Sequence, residues 1–89
     1  MLFRSMVMIE EALHMFVFKS PAGSPERRML MAEVVEWLRE NVGPGGIGVE
    51  YAEAPNRTDV TWYIRTFTIV FKVYLKRDED ATVFALRWS

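Results

Sequence analysis

Several residues in this 89-residue chain are of types that do chemistry. Asp78, Glu79 and Asp80 set three carboxylates in a row, the donor type of a hard-cation site. Successive residues at a helix start point in different directions, however, and neither the ligand spacing nor the glycine of a calcium loop accompanies them. Negative charge in the first turn of a helix accounts for them instead. His14, the single histidine, is the obvious candidate base. A base needs an oriented partner and a nucleophile within reach. The nearest hydroxyls, Ser20 and Ser24, fall in a turn where they have capping work. Arg39 and Asn41 sit near a helix end, where solvation explains them. The run Gly43-Pro44-Gly45-Gly46-Ile47-Gly48 has the glycine content of a phosphate cradle, but it follows a helix where a cradle precedes one. No Lys-Ser or Lys-Thr comes after it. The chemistry-bearing residues therefore predict no enzyme, no metal site and no cofactor.

What remains is a surface. Residues 60–76 contain no Gly or Pro and are rich in β-branched and aromatic residues that mostly alternate with polar ones, a strand pattern. With Phe67, Ile69, Phe71 and Val73 directed to a core, the residues Thr66, Thr68, Val70, Lys72 and Tyr74 face outward. Arg65 flanks them. Trp62 joins this outer face, or lies on the core side if the strand is bulged elsewhere. The apolar parity changes along the run: Trp62 and Ile64 are even-numbered, while Phe67, Ile69, Phe71, Val73 and Leu75 are odd. Such a phase slip near Arg65-Thr66 marks a β-bulge or a second tight hairpin without the usual turn residues. The bulge is the preferred reading.

The elements that must position this face are legible in turn. Residues 15–19 form a short aromatic strand that ends at Ser20-Pro21-Ala22-Gly23, with a possible earlier start near Ala12. A helix opens at Ser24-Pro25, a side-chain cap followed by a proline where no N–H is needed. Leu30, Met31, Val34, Val35, Trp37, Leu38 and Val42 make its apolar stripe, with Arg28, Glu33, Glu36, Arg39 and Glu40 opposite. Gly43 and Pro44 end it. A second strand over 47–53, weakened by Gly48, is expected to form a hairpin through residues 55–59 with the long run. Asp78 is expected to cap a last helix, whose Ala81, Phe84, Ala85 and Trp88 recur at helical spacing. The order β-α-β-β-α predicts an α+β two-layer sandwich of truncated ferredoxin-like type. In it, both helices lie on one face of an antiparallel three-stranded sheet.

Composition limits the function. The length suits one domain, and 51% hydrophobic with 26% charged residues describes a folded chain. Eleven basic against twelve acidic residues give a net charge of −1, which argues against a protein whose main work is coating phosphates. Without cysteine there is neither a disulfide framework nor a thiolate site. No apolar run reaches membrane-spanning length, because Glu10 and Glu11 interrupt the first one, and no secretory cleavage pattern precedes His14. A core this small makes self-association a natural source of added stability.

Two resemblances add to this reading. The closing residues Asp78-Glu79-Asp80-Ala81-Thr82-Val83-Phe84-Ala85-Leu86-Arg87-Trp88 resemble the ends of many small uncharacterised tailed-bacteriophage proteins. Those chains finish with an acidic pair, Asp-Ala, a Phe, a Leu, a basic residue and Trp. The likeness extends loosely to Trp37-Leu38-Arg39-Glu40-Asn41 and to the Gly-rich exit after it. It implies a viral accessory protein in an infected bacterial cytoplasm or in the virion, and it brings no activity to transfer. Separately, Met1-Leu2-Phe3-Arg4-Ser5 resembles a translated sequencing-adapter scar, as in genes from environmental assemblies. The natural start would then be Met6, Met8, Met15 or a codon further upstream, and the first five residues receive no role in the fold.

The resulting expectation is a non-catalytic accessory protein that binds a host or viral protein, or a second copy of itself, through Trp62, Arg65, Val70, Lys72 and Tyr74. Host takeover and inhibition of bacterial defence are the kinds of work such proteins do. The alternative is a single-stranded nucleic-acid binder that stacks bases on Trp62 and Tyr74 and holds phosphates with Arg65 and Lys72.

Overall fold

Ser24 starts the first helix as its residue type predicts. Its Oγ accepts the Arg27 N–H at 3.1 Å and donates to the Pro21 carbonyl at 2.8 Å, and Pro25 follows in the first turn. In the computed structural model, which describes residues 2–6, 14–48 and 58–88, this helix (α1) runs Pro25–Asn41. It ends where Gly43 takes a φ of +130°, a conformation that side chains resist, with the Val42 and Gly43 N–H groups both on the Leu38 carbonyl. The second helix (α2) runs Asp78–Trp88. Asp78 does not cap it. The residue lies in the first turn, and its carboxylate reaches His14 at 2.6 Å instead.

Five strands accompany these helices: β1 (Leu2–Met6), β2 (His14–Lys19), β3 (Gly45–Ile47), β4 (Trp62–Thr66) and β5 (Val70–Leu75). Their order across the sheet is β1-β2-β5-β4-β3. The four strands β2-β5-β4-β3 form a mixed sheet, antiparallel except that β3 runs parallel to β4. The expectation of three antiparallel strands is corrected on both counts. The stretch 47–53 was expected to fold back as a hairpin arm, but the strand there is shorter and earlier, and it is parallel; residues 49–57 lie outside the described ones. The first five residues, given no role from sequence, largely occupy β1, where Leu2 pairs with Phe18 and Met6 with His14. An extended segment readily pairs with an open strand edge, and β2 presents one.

Residues 60–76 are two strands joined by a tight turn, not one bulged strand. The Phe67 N–H donates to the Val70 carbonyl at 2.9 Å, and Thr66 faces Phe71 across the hairpin. The turn lacks Gly, Pro and Asn. It is held from outside, because the Ser20 and Ala22 N–H groups donate to the carbonyls of Ile69 and Thr68 at 2.9 and 2.7 Å. Reversal of the chain, not an inserted residue, produces the change in parity.

Both helices cover the same face of the sheet. Phe16 and Phe18 of β2, Trp62 and Ile64 of β4, and Phe71, Val73 and Leu75 of β5 share one core with Val34, Leu38 and Val42 from around α1 and Ala81, Phe84 and Ala85 from α2. Phe84 is the hub, with ring centroids 4.8 Å from Phe16, 6.0 Å from Phe18 and 5.7 Å from Trp37. Each such side chain taken fully out of water contributes about 1.5–3 kcal/mol. Arg77 braces the two helices, donating to Asp80 at 2.7 Å and to the Val42 carbonyl at 3.3 Å.

The Gly-rich exit from α1 is a seat for Trp62. The indole N–H donates to the Gly43 carbonyl at 2.8 Å, and the Thr61 N–H donates to the Pro44 carbonyl, also at 2.8 Å. A Cβ on Gly45 would overlap both the carbonyl oxygen and the ring of Trp62. Only glycine allows β3 to lie this close. Gly45→Ala is accordingly expected to destabilise the protein by about 1–3 kcal/mol, the range for an overpacked interior. Urea unfolding measures this, and an unchanged midpoint would mean that Trp62 does not sit on the glycine.

Candidate protein-binding face

The face of the sheet away from the helices is built by the residues that alternate with the core set. On β4 these are Tyr63 and Arg65, on β5 Val70, Lys72 and Tyr74, and on β2 Met15, Val17 and Lys19. Of the five residues expected there from sequence, Arg65, Val70, Lys72 and Tyr74 are on this face. Trp62 is not. It is fully buried on the helix side, because the hairpin puts even-numbered β4 residues and odd-numbered β5 residues on one side. Phe67 and Ile69, expected in the core, lie in the turn and are 42% and 63% exposed. Thr66 and Thr68 are exposed as well, Thr66 at the end of β4 and Thr68 in the turn.

The outer face is not uniform. At one end Tyr63 stacks on Tyr74 with centroids 4.6 Å apart and planes 8° from parallel. Tyr63 is 4% exposed and packs with Val60 in a second, smaller apolar cluster. At this end Tyr63 is buried and Tyr74 half-buried. Burial raises the Tyr74 phenol above its ordinary value of 10.0, and the nearby Arg65 charge opposes part of that rise.

The other end is open and cationic. Arg65 and Lys72 are directly paired across β4 and β5. Like charges facing each other in this way destabilise a hairpin. Among the described residues, no carboxylate pairs with either of them. The Lys72 ammonium lies 5.1 Å from the centre of the Phe67 ring, a cation–π contact that holds the aromatic ring beside the charge. Beside this group an open depression of about 260 Å³ is lined by Gly48, Arg65, Thr66 and Phe67. Val70 is half-buried between the turn and Lys72, opposite Lys19 of β2.

The other candidate chemistry resolves into packing. His14 is buried and pairs through Nε2 with Asp78, a latch between the start of β2 and the start of α2. Ser20 stands at the far end of β2, about 20 Å away at the usual rise per residue, and Ser24 is engaged in its cap. Neither hydroxyl reaches the imidazole. Of the acidic trio, Asp78 turns to His14 and Asp80 to Arg77. Among the described residues, no three His, Asp or Glu side chains gather as metal ligands. Nor is any helix among them long and apolar enough to cross a membrane.

Sequence reasoning missed Tyr63 as an outer-face residue and Phe67 and Ile69 as exposed ones. The available signal was the parity change itself, read as a turn instead of a bulge. Compared with protein-family models, with curated proteins and with solved structures, the chain matches none.

The Tyr74 environment has a pH consequence. A phenol that is harder to ionise in the folded state gives stability that is whole below the unfolded value of 10.0 and is lost as the pH climbs through the raised folded value. The phenolate absorbance removed by Tyr74→Phe should therefore titrate above pH 10, and Arg65→Met should move it higher still. Titration of that signal below 10 would show that the Tyr63–Tyr74 end is open to water.

Proposed function

We propose that the protein is a non-catalytic binding module that recognises a protein partner through the hairpin end of its outer sheet face. The observation that carries this reading is the open depression lined by Gly48, Arg65, Thr66 and Phe67, with Lys72 over the Phe67 ring and Ile69 exposed in the same turn. Exposed aromatic and aliphatic side chains at a rigid turn, rimmed by cations, have the composition of an interface anchor. Val70 continues the apolar surface toward β2, and the stacked tyrosines stiffen the sheet beneath it.

Nucleic acid fits the same surface less well. Stacking of bases needs free aromatic faces. Trp62 is buried, Tyr63 and Tyr74 stack on each other, and Lys72 already lies over Phe67. A net charge of −1 adds nothing to phosphate affinity.

The resemblance of residues 78–88 to the ends of tailed-phage proteins supports placing the protein in an infected bacterial cytoplasm or in the virion. Host takeover, inhibition of a bacterial defence, or pairing with a second copy are the versions of this role. A photo-crosslinking amino acid installed at Phe67 or at Leu86 distinguishes surfaces in living bacteria. Leu86 is the control, since it is 79% exposed on α2, away from the hairpin. A discrete adduct is expected from position 67 and none of the same mass from position 86. An adduct of twice the chain mass would identify a second copy as the partner, whereas adducts from position 86 alone would contradict the proposed face.

A further inference from the structure

We infer that the segment bound at the hairpin end is acidic and carries an aromatic or branched apolar side chain among its carboxylates. This deepens the reading above and rests on it. Two cations set directly opposite each other on neighbouring strands raise the energy of the free hairpin, and an anion placed between them reverses the sign of that term. Arg65 and Lys72 have no carboxylate partner among the described residues, so none of those residues supplies the counter-charge. Arg65 is exposed and its planar guanidinium suits a bidentate carboxylate, while Lys72 offers a compact second charge on the same face.

The apolar half of the specificity comes from the depression. Its volume of about 260 Å³ takes a side chain rather than a folded element, and its lining joins Phe67 to Thr66 and Arg65. Gly48 forms one wall with a φ of +109° and nothing within 4 Å of where a Cβ would stand, so that wall carries no side chain. Ile69, 63% exposed, is a second uncovered apolar side chain in the same turn. The site thus pairs two charges with one side-chain-sized apolar recess. That combination selects an acidic peptide over a plain anion, which would leave the recess unused. It also disfavours a nucleic-acid strand, whose bases would compete with Lys72 for the Phe67 ring.

The test uses the whole protein and a fluorescein-labelled peptide in which one Phe is flanked by Glu residues, with anisotropy read at low and physiological salt. Binding is expected. It should weaken about tenfold or more in the Arg65→Glu, Lys72→Glu double variant, and similarly when every Glu of the peptide is replaced by Gln. Replacing the peptide Phe by Ala should weaken it again. Near-UV circular dichroism checks that the variant keeps its buried aromatic core. The reversed variant should in turn bind the same peptide with Lys in place of Glu, a gain that damage to the fold cannot produce. No binding of the Glu peptide at low salt, or equal binding of the Gln peptide, overturns the inference. If crosslinking at position 67 still captures a protein in that case, the face stands and only its charge preference is wrong. Labelled oligothymidylate that binds in place of the acidic peptide, with the same dependence on Arg65 and Lys72, would assign the site to nucleic acid and overturn both.

Discussion

The indole of Trp62 seated on Gly45 is the contact on which the two faces of this sheet depend. Its N–H reaches the Gly43 carbonyl, and its ring occupies the space that any side chain at position 45 would fill. With Trp62 inward, strict alternation puts Tyr63 and Arg65 outward. The antiparallel register then carries the same division across the hairpin, to Lys72 and Tyr74 on one side and Val73 and Leu75 on the other. A slip of one residue in β4 would turn the tryptophan out to water and draw Arg65 toward the core. The cost of burying that guanidinium without a partner makes the slip prohibitive.

The opposite faces of the sheet satisfy different demands. On the helix side, Phe84 and the aromatic residues of β2 and β5 fill the space between the layers, and the Phe18–Phe71 rings stack with centroids 4.8 Å apart. Charge is admitted there at Asp80, paired with Arg77, and at Arg27, whose guanidinium crosses the Phe71 ring and donates to the Ser20 carbonyl at the base of the hairpin. On the far side, the stacked tyrosines cover one end, with Tyr63 buried and Tyr74 half-buried. The turn end keeps its charges and its exposed apolar residues. The recognition proposed above would draw on that turn end, and a site already ordered before binding gives up less entropy.

Much of this was legible in the sequence, for reasons that differ between elements. The first helix carries its own start and stop signals in Ser24, Pro25 and Gly43, and its apolar stripe matches the observed core. Phe16 and Phe18, like Phe71 and Val73, follow simple alternation. Four of the five expected outer residues are on the outer face for the same local reason. The hairpin was not legible as such, since its turn residues, Thr68 and Ile69, have no turn propensity and are held by backbone bonds from the Ser20–Ala22 loop. The parallel pairing of β3 with β4 was likewise hidden, because it depends on the distant Trp62 meeting a glycine. His14 and Asp78, 64 positions apart in sequence, illustrate the same limit. Local pattern assigned each a separate role, and tertiary folding made them a pair.

The placement of Trp62 is the claim most directly open to measurement. A protein with Trp37→Phe and Trp88→Phe retains Trp62 as its only tryptophan, so its fluorescence reports one site. The fold described above predicts emission typical of an apolar setting and almost no quenching by acrylamide until the protein unfolds. Emission at the wavelength of a solvated indole, quenched as freely as in the unfolded chain, would put Trp62 on the outer face and reverse the assignment of Arg65 and Lys72.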